Sequence, residues 1–172
     1  MTSFPSQMAP TEYESLALPS GRQVFVGKCT PSFRQWNGDR KRLGPTYDSK
    51  PRLELDGCPV FAEVLVLADF LSLGWDGIWV DTFHRSMWKG MPSEQTRATV
   101  SETIRTRLEC IGAREPKARC WDVVAWQDDQ LLFCEVKHSG KDKIRESQLR
   151  WVDAALMEGI SVSQFLVVEW SL

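Results

Sequence analysis

Residues 120–138 read CWDVVAWQDDQLLFCEVKH, two apolar runs separated by a polar cluster. Trp121–Trp126 and Leu131–Lys137 are rich in β-branched and aromatic residues, and Gln127-Asp128-Asp129-Gln130 between them reads as a hairpin turn. With Asp128-Asp129 as the two-residue turn, partner numbers across an antiparallel pair have a constant sum, so Asp122 falls opposite Glu135. Directly opposed residues share a face with Cβ atoms roughly 5 Å apart. Lys137, two residues beyond Glu135, points the same way. The other face, Trp121, Val123 and Ala125 against Leu132, Cys134 and Val136, is apolar throughout. The face of the acids also carries Val124, Trp126, Leu131 and Phe133, so its polar groups gather at one end of a dry sheet.

Two carboxylates held side by side repel, and neither ionises cheaply without a cation between them. Mg²⁺, or Mn²⁺ in its place, is such a cation, because a hard divalent ion takes one or two carboxylates together with water and phosphate oxygens. Asp122 and Glu135 are therefore the expected ligands, with the Val136 carbonyl as a third. Lys137 is placed to stabilise developing negative charge or to orient an attacking water.

Asp122 followed after a hairpin by Glu135-Val136-Lys137 resembles the signature of the PD-(D/E)XK nuclease superfamily. The segment KHSGKDKIRESQLRWVDAALMEGI, from Lys137, further resembles the branch that includes the VRR-NUC domains. The resemblance implies a restriction-endonuclease-like αβββαβ core and metal-dependent hydrolysis of DNA. Asp122 and Glu135 would hold the metal, Lys137 would assist the water, and Gln148 would reach the site from the following helix. It also implies an acidic ligand on the first core helix, a role for Glu63. One departure stands out: the residue before the acid is Trp121 and not Pro.

Upstream, Pro59 to Gly74 reads as that helix, apolar on most sides, with Pro59 at its first position and Gly74 as its stop. Glu63 stands among Pro59, Val60, Val66 and Leu67, and a carboxylate there needs a partner or a metal. Asp69 is a weaker rival. Trp75–Phe83 reads as a strand carrying Asp81, His84–Pro92 as a loop, and Glu94–Gly112 as an inserted, solvated helix. Downstream, Asp142 is the expected cap and Gly159 the stop of a helix with Leu149, Val152 and Leu156 as its stripe. Phe165–Trp170 reads as an internal strand. Discounting the insertion, residues 59–170 run helix, three strands, helix, strand, an α/β chain with a mixed α+β sheet.

Residues 1–52 are expected to form an N-terminal arm, irregular to about residue 22, with a short strand from Gln23 to Lys28; residues 53–172 form the core domain. The segment Thr30–Arg52 carries Arg34, Arg40, Lys41, Arg42, Lys50 and Arg52, a phosphate-contacting loop or simply a solvated surface. Lys117, Arg119, His138, Lys141 and Lys143 flank the hairpin and are the expected contacts to a nucleic-acid backbone.

The chain's 172 residues suit one packed domain, and a net charge of −2 argues against a generic polyanion binder without excluding a local patch. Five cysteines without C-x-x-C spacing read as reduced thiols of a cytoplasmic protein. Two histidines without zinc spacing, and the lack of a Gly-rich phosphate loop or nucleophile elbow, count against other hydrolytic chemistries. The expected partners are DNA, with RNA or branched DNA as variants, and a homodimer or larger complex, with no membrane. A non-catalytic module of the same fold, binding nucleic acid or a protein, is the alternative, and an unrelated α+β protein with a chance E-x-K is a third case.

Overall fold

The computed structural model describes residues 4–39 and 42–172, so Arg40 and Lys41 of the basic segment lie outside the described residues. One mixed sheet runs through the molecule. Its strands, in chain order, are β1 (Glu12–Ala17), β2 (Gln23–Cys29), β5 (Asp76–Asp81), β6 (Ser86–Trp88), β7 (Val123–Gln127), β8 (Gln130–His138) and β9 (Phe165–Trp170). A separate hairpin, β3 (Leu53–Leu55) with β4 (Cys58–Val60), precedes the helix α2 (Ala62–Ser72). The other helices are the single turn α1 (Pro45–Asp48), then α3 (Glu102–Arg114) and α4 (Glu146–Met157).

The sheet order is β1-β2-β9-β8-β7-β5-β6. Neighbours β5, β7 and β8 are antiparallel, whereas β8 and β9 run parallel, joined by α4. A parallel neighbour needs a crossover, and α4 supplies it. On one face Val64, Val66, Leu67 and Phe70 of α2 pack with Val123, Ala125, Leu132, Cys134 and Val136. On the other, Ile104, Leu108 and Ile111 of α3 and Val152 and Ala155 of α4 cover Val124, Leu131, Phe133 and Val167. The chain is thus mixed α/β, as expected, with both faces of its central strands dry.

Several boundaries differ from the sequence expectations. The arm expected to be irregular contains β1, an edge strand paired along its length with β2, which in turn joins β9. Its outer residues Glu12 and Tyr13 are exposed and only Leu16 is buried within it, so the strand carries little apolar signal. Pro59 is not the first helical residue but lies in β4 opposite Glu54. The turn between β3 and β4 is Asp56-Gly57, both at positive φ (50° and 75°), the backbone a two-residue hairpin requires. The expected loop after β5 includes β6, and residues 94–101 are not helical. Instead Ser101 caps α3, accepting from the Ile104 N–H at 3.4 Å. Asp142 is not a cap either; it accepts from the His138 N–H at 3.0 Å, and α4 starts after Arg145. Gly159 does end α4's turn, with φ +84°.

All five cysteines are free, with Cys29 and Cys134 buried. Burial pushes the Cys29 thiol up to about 11. No helix among the described residues is long and apolar enough to cross a membrane.

Candidate active site

The site forms where β7 and β8 part. Their ladder runs from Gln127↔Gln130 at the turn to Val123↔Cys134, while β8 continues to His138 beside β9 alone. Asp122 is the first residue beyond the ladder, tied to β5 by the Val80 N–H donating to its carbonyl at 2.7 Å. The side-chain alternation breaks here. Trp121 does not share a face with Val123 and Ala125 as expected; it packs in the α3–α4 core, 5.0 Å from the Phe165 ring, and donates its indole N–H to the Gln148 carbonyl at 3.3 Å. The backbone turns at Asp122, whose Oδ2 accepts from the Val136 N–H at 3.0 Å, in place of a lost ladder bond. A strand residue's N–H and C=O point towards the same antiparallel neighbour, so the Val136 carbonyl faces the same opening.

Glu135 is fully buried. Its Oε1 receives the Lys137 ammonium at 2.6 Å and the Gln148 amide at 2.5 Å. Its Oε2 meets no N–H or O–H donor. Against Glu135 lies the Asp122 carboxyl, and two carboxylates this close repel. Gln148, in the first turn of α4, is fixed at its other end, where Oε1 accepts from the Arg145 N–H at 2.9 Å and from Lys137 Nζ at 3.3 Å. The amide therefore clamps Glu135 and Lys137 together.

Glu63, in the first turn of α2, approaches Asp122 from the opposite face of the sheet and is buried. Its Oε1 pairs with the ammonium of Lys50. Among the described residues no three His, Cys, Asp or Glu side chains stand together as a ready metal-binding group. The acids are instead neutralised by lysines, Glu135 by Lys137 and Glu63 by Lys50.

The electrostatics follow from this enclosure. Burial and the adjacent Glu135 hold the Asp122 carboxyl well above the usual carboxylate range, opposed by the Val136 N–H and Lys137. Burial also raises Glu135, against the pull of Lys137 and Gln148. Glu63 is raised by burial and by Asp122, with Lys50 opposing. The same enclosure thus disfavours the charged forms of all three acids, and lysines answer two of them.

Asp81 is buried beside this region. It accepts from the Tyr47 hydroxyl at 2.5 Å, from the His84 ring at 2.7 Å and from the His84 N–H at 3.1 Å. Burial pushes its carboxyl up, but these donors outweigh it and hold it below the usual value. Asp69 lies farther along α2, near Cys29 and away from the acid pair.

A cleft of about 610 Å³ reaches the site, walled by Lys50, Glu63, Val136, His138, Lys141 and Arg145, among others. His138 stacks on Trp170 with ring centres 4.1 Å apart and planes inclined by 14°. Lys143 lines a separate groove with Lys137 and Lys28. Lys117 and Arg119 are exposed on the loop before β7 and wall neither opening. Arg119 is anchored by its N–H to the Ser147 carbonyl at 2.8 Å. Sequence reasoning placed Lys50 only within a basic segment; nothing in its local spacing points to Glu63.

Comparison with protein-family models, with curated proteins and with solved structures finds no match to the chain.

Proposed function

We propose that the protein is a metal-dependent nuclease that hydrolyses DNA phosphodiester bonds with a PD-(D/E)XK-type site on a restriction-endonuclease-like frame. The observation that carries this reading is Glu135: wholly buried, with one oxygen clamped by Lys137 and Gln148 and the other lacking any donor beside Asp122. Most buried polar atoms have a partner, so an orphaned carboxylate oxygen beside a second acid calls for an explanation, and a cation supplies one. The chain path α2–β5–β7–β8–α4–β9 also follows the order of elements the sequence resemblance implies, with β6 and α3 as the insertion.

The donor set fits a hard cation. Asp122 and Glu135 carboxylates, the Val136 carbonyl and Glu63 are all oxygen donors, the chemistry Mg²⁺ and Mn²⁺ prefer. A bound divalent ion would supply Lewis-acid polarisation of the phosphate and a more acidic water. The chain's own groups do the rest. Gln148 holds the orientation of Glu135, and Lys137, retaining Gln148 Oε1 as an acceptor, stays at the acid pair to orient the attacking water and stabilise developing charge. Lys141, Arg145 and His138 line the cleft where a phosphate backbone would lie.

The purified protein is expected to cut DNA with Mg²⁺ or Mn²⁺, and Glu135→Ala and Lys137→Ala to lower the rate by roughly 10²–10⁴-fold with the fold retained. Undiminished cutting by both variants sinks the mechanism. A second reading, a non-catalytic module of this fold that binds nucleic acid or a protein, is favoured by the lysines that already neutralise Glu135 and Glu63. Calorimetry with Mn²⁺ separates the two: no metal affinity, and DNA binding indifferent to Glu135→Ala, supports the module.

A further inference from the structure

Lys50 belongs to no part of the hairpin that defines the site, yet its ammonium meets the acids from the α2 side. It pairs with Glu63 and lies 5.3 Å from the Phe61 ring centre and 5.1 Å from that of Trp79. It also sits within the field of Asp122 and Asp81. Its side chain is 32% exposed, on the wall of the cleft that carries His138, Lys141 and Arg145.

The two lysines differ in how they are held. Lys137 has two acceptors, Glu135 and Gln148, so losing one leaves it anchored. Lys50 has a single hydrogen-bond acceptor among the described residues, Glu63; its other neighbours are aromatic faces, which hold a cation far less firmly than a carboxylate. A divalent ion at Asp122 and Glu135 would repel this ammonium and compete for the same carboxylate. Lys50 would then need another anion. The remaining acid on the cleft wall, Asp142, is engaged by the His138 N–H, and Asp81 by the Tyr47 hydroxyl and by His84. A substrate phosphate in the cleft is the acceptor left.

We propose that Lys50 is a switched phosphate contact: it neutralises Glu63 in the metal-free protein and, once that carboxylate turns to a divalent ion, binds a phosphodiester oxygen of nucleic acid in the cleft. This rests on the metal-dependent reading, and it makes metal and substrate binding cooperative, because the first releases the group that serves the second. Lys50 is a binding and positioning residue and not a proton carrier.

Two measurements on the full chain test it. In the first, fluorescence anisotropy with a labelled DNA duplex in EDTA compares wild type, Glu63→Gln, Lys50→Met and the double variant. Glu63→Gln frees Lys50 without metal and is expected to tighten DNA binding at least about fivefold, a gain that vanishes when Lys50→Met is added and survives with Lys50→Arg. A gain that persists in the Lys50→Met double variant reflects only the lost negative charge and overturns the proposal. In the second, calorimetry with Mn²⁺ alone is expected to show Lys50→Met binding the ion at least about threefold more tightly than wild type, because the competing cation is gone. Equal affinities overturn the switch while leaving the nuclease reading intact. No Mn²⁺ binding by any variant removes the metal reading and the switch with it, and the EDTA series then still decides whether Lys50 can reach a phosphate. Both substitutions keep the packing, since methionine preserves the stem between Phe61 and Trp79 and glutamine the shape of Glu63, and thermal unfolding of each verifies the fold.

Discussion

Leu131 and Glu135 lie four residues apart on one face of β8, and neither has exposed surface. Leu131 is paired with Trp126 in a complete ladder and packs in the core covered by α3 and α4. At Glu135 the same strand has lost its β7 neighbour, and the space holds Asp122, Lys137 and Gln148. The two ends of one hairpin are equally dry but chemically opposite. Depth alone does not make a site; a buried carboxylate is tolerated where the departing strand leaves room for partners that answer its charge.

The largest effect that could break this comparison comes from moving the acid. Leu131→Glu places a carboxylate at the closed end without a partner and is expected to destabilise the protein by about 4 kcal/mol or more, read as a lost or strongly shifted urea transition. A loss under about 1 kcal/mol would mean the closed end is as permissive as the open one. The converse exchange, Glu135→Leu with Lys137→Met, is expected to leave stability unchanged or raise it by about 1–3 kcal/mol while abolishing DNA cutting. If that variant unfolds, the charges serve the fold and not a reaction.

Smaller effects sharpen the contrast through pH. Asp122, Glu135 and Glu63 all titrate higher in the folded chain than their ordinary values. The folded state therefore holds these protons more tightly than the unfolded one. Their contribution to stability is fully present below the ordinary carboxylate range and is lost as pH rises through the raised values. The metal-free protein is expected to melt at a lower temperature near neutrality than near pH 5, with Mn²⁺ reversing the loss. Asp122→Asn should flatten this slope and raise the neutral, metal-free melting temperature by several degrees, the scale of a change of about 1 kcal/mol. A melting temperature that rises with pH contradicts the upward shift of these three acids. At the closed end the smallest effect is expected: Asp128, at φ 51° in the turn, replaced by glycine, should gain about 0.5 kcal/mol, seen in the urea midpoint, without touching activity.

Much of this contrast was legible in the chain. The Asp128-Asp129 turn fixes the register, which the structure keeps as far as Val123↔Cys134, one step short of Asp122 and Glu135. Helical spacing reveals α2 and α4, and the odd carboxylate of Glu63 on an apolar helix, whereas Gln148 stands out only through the family resemblance. The edge strand β1 was not legible, because an outermost strand with one buried residue lacks the alternation that reveals its neighbours. The hairpin that takes Pro59 out of the helix was not legible either, because β3 and β4 have three residues each, too few to show an alternation. The reversal of Trp121 escaped for a different reason: alternation assumes a continuing ladder, and here the ladder ends.

What the sequence determined by itself is what covalent spacing can enforce: two acids and an amine brought to one end of a hairpin, through a turn of fixed length and a side-chain period of two. Only the tertiary structure decided which groups answer them. Gln148 arrives because α4 crosses over one face, Glu63 because α2 packs on the other, and Lys50 because α1 and the β3–β4 hairpin fold it back onto α2. Those meetings depend on burying apolar faces against a common sheet, a global balance of packing that no local pattern encodes.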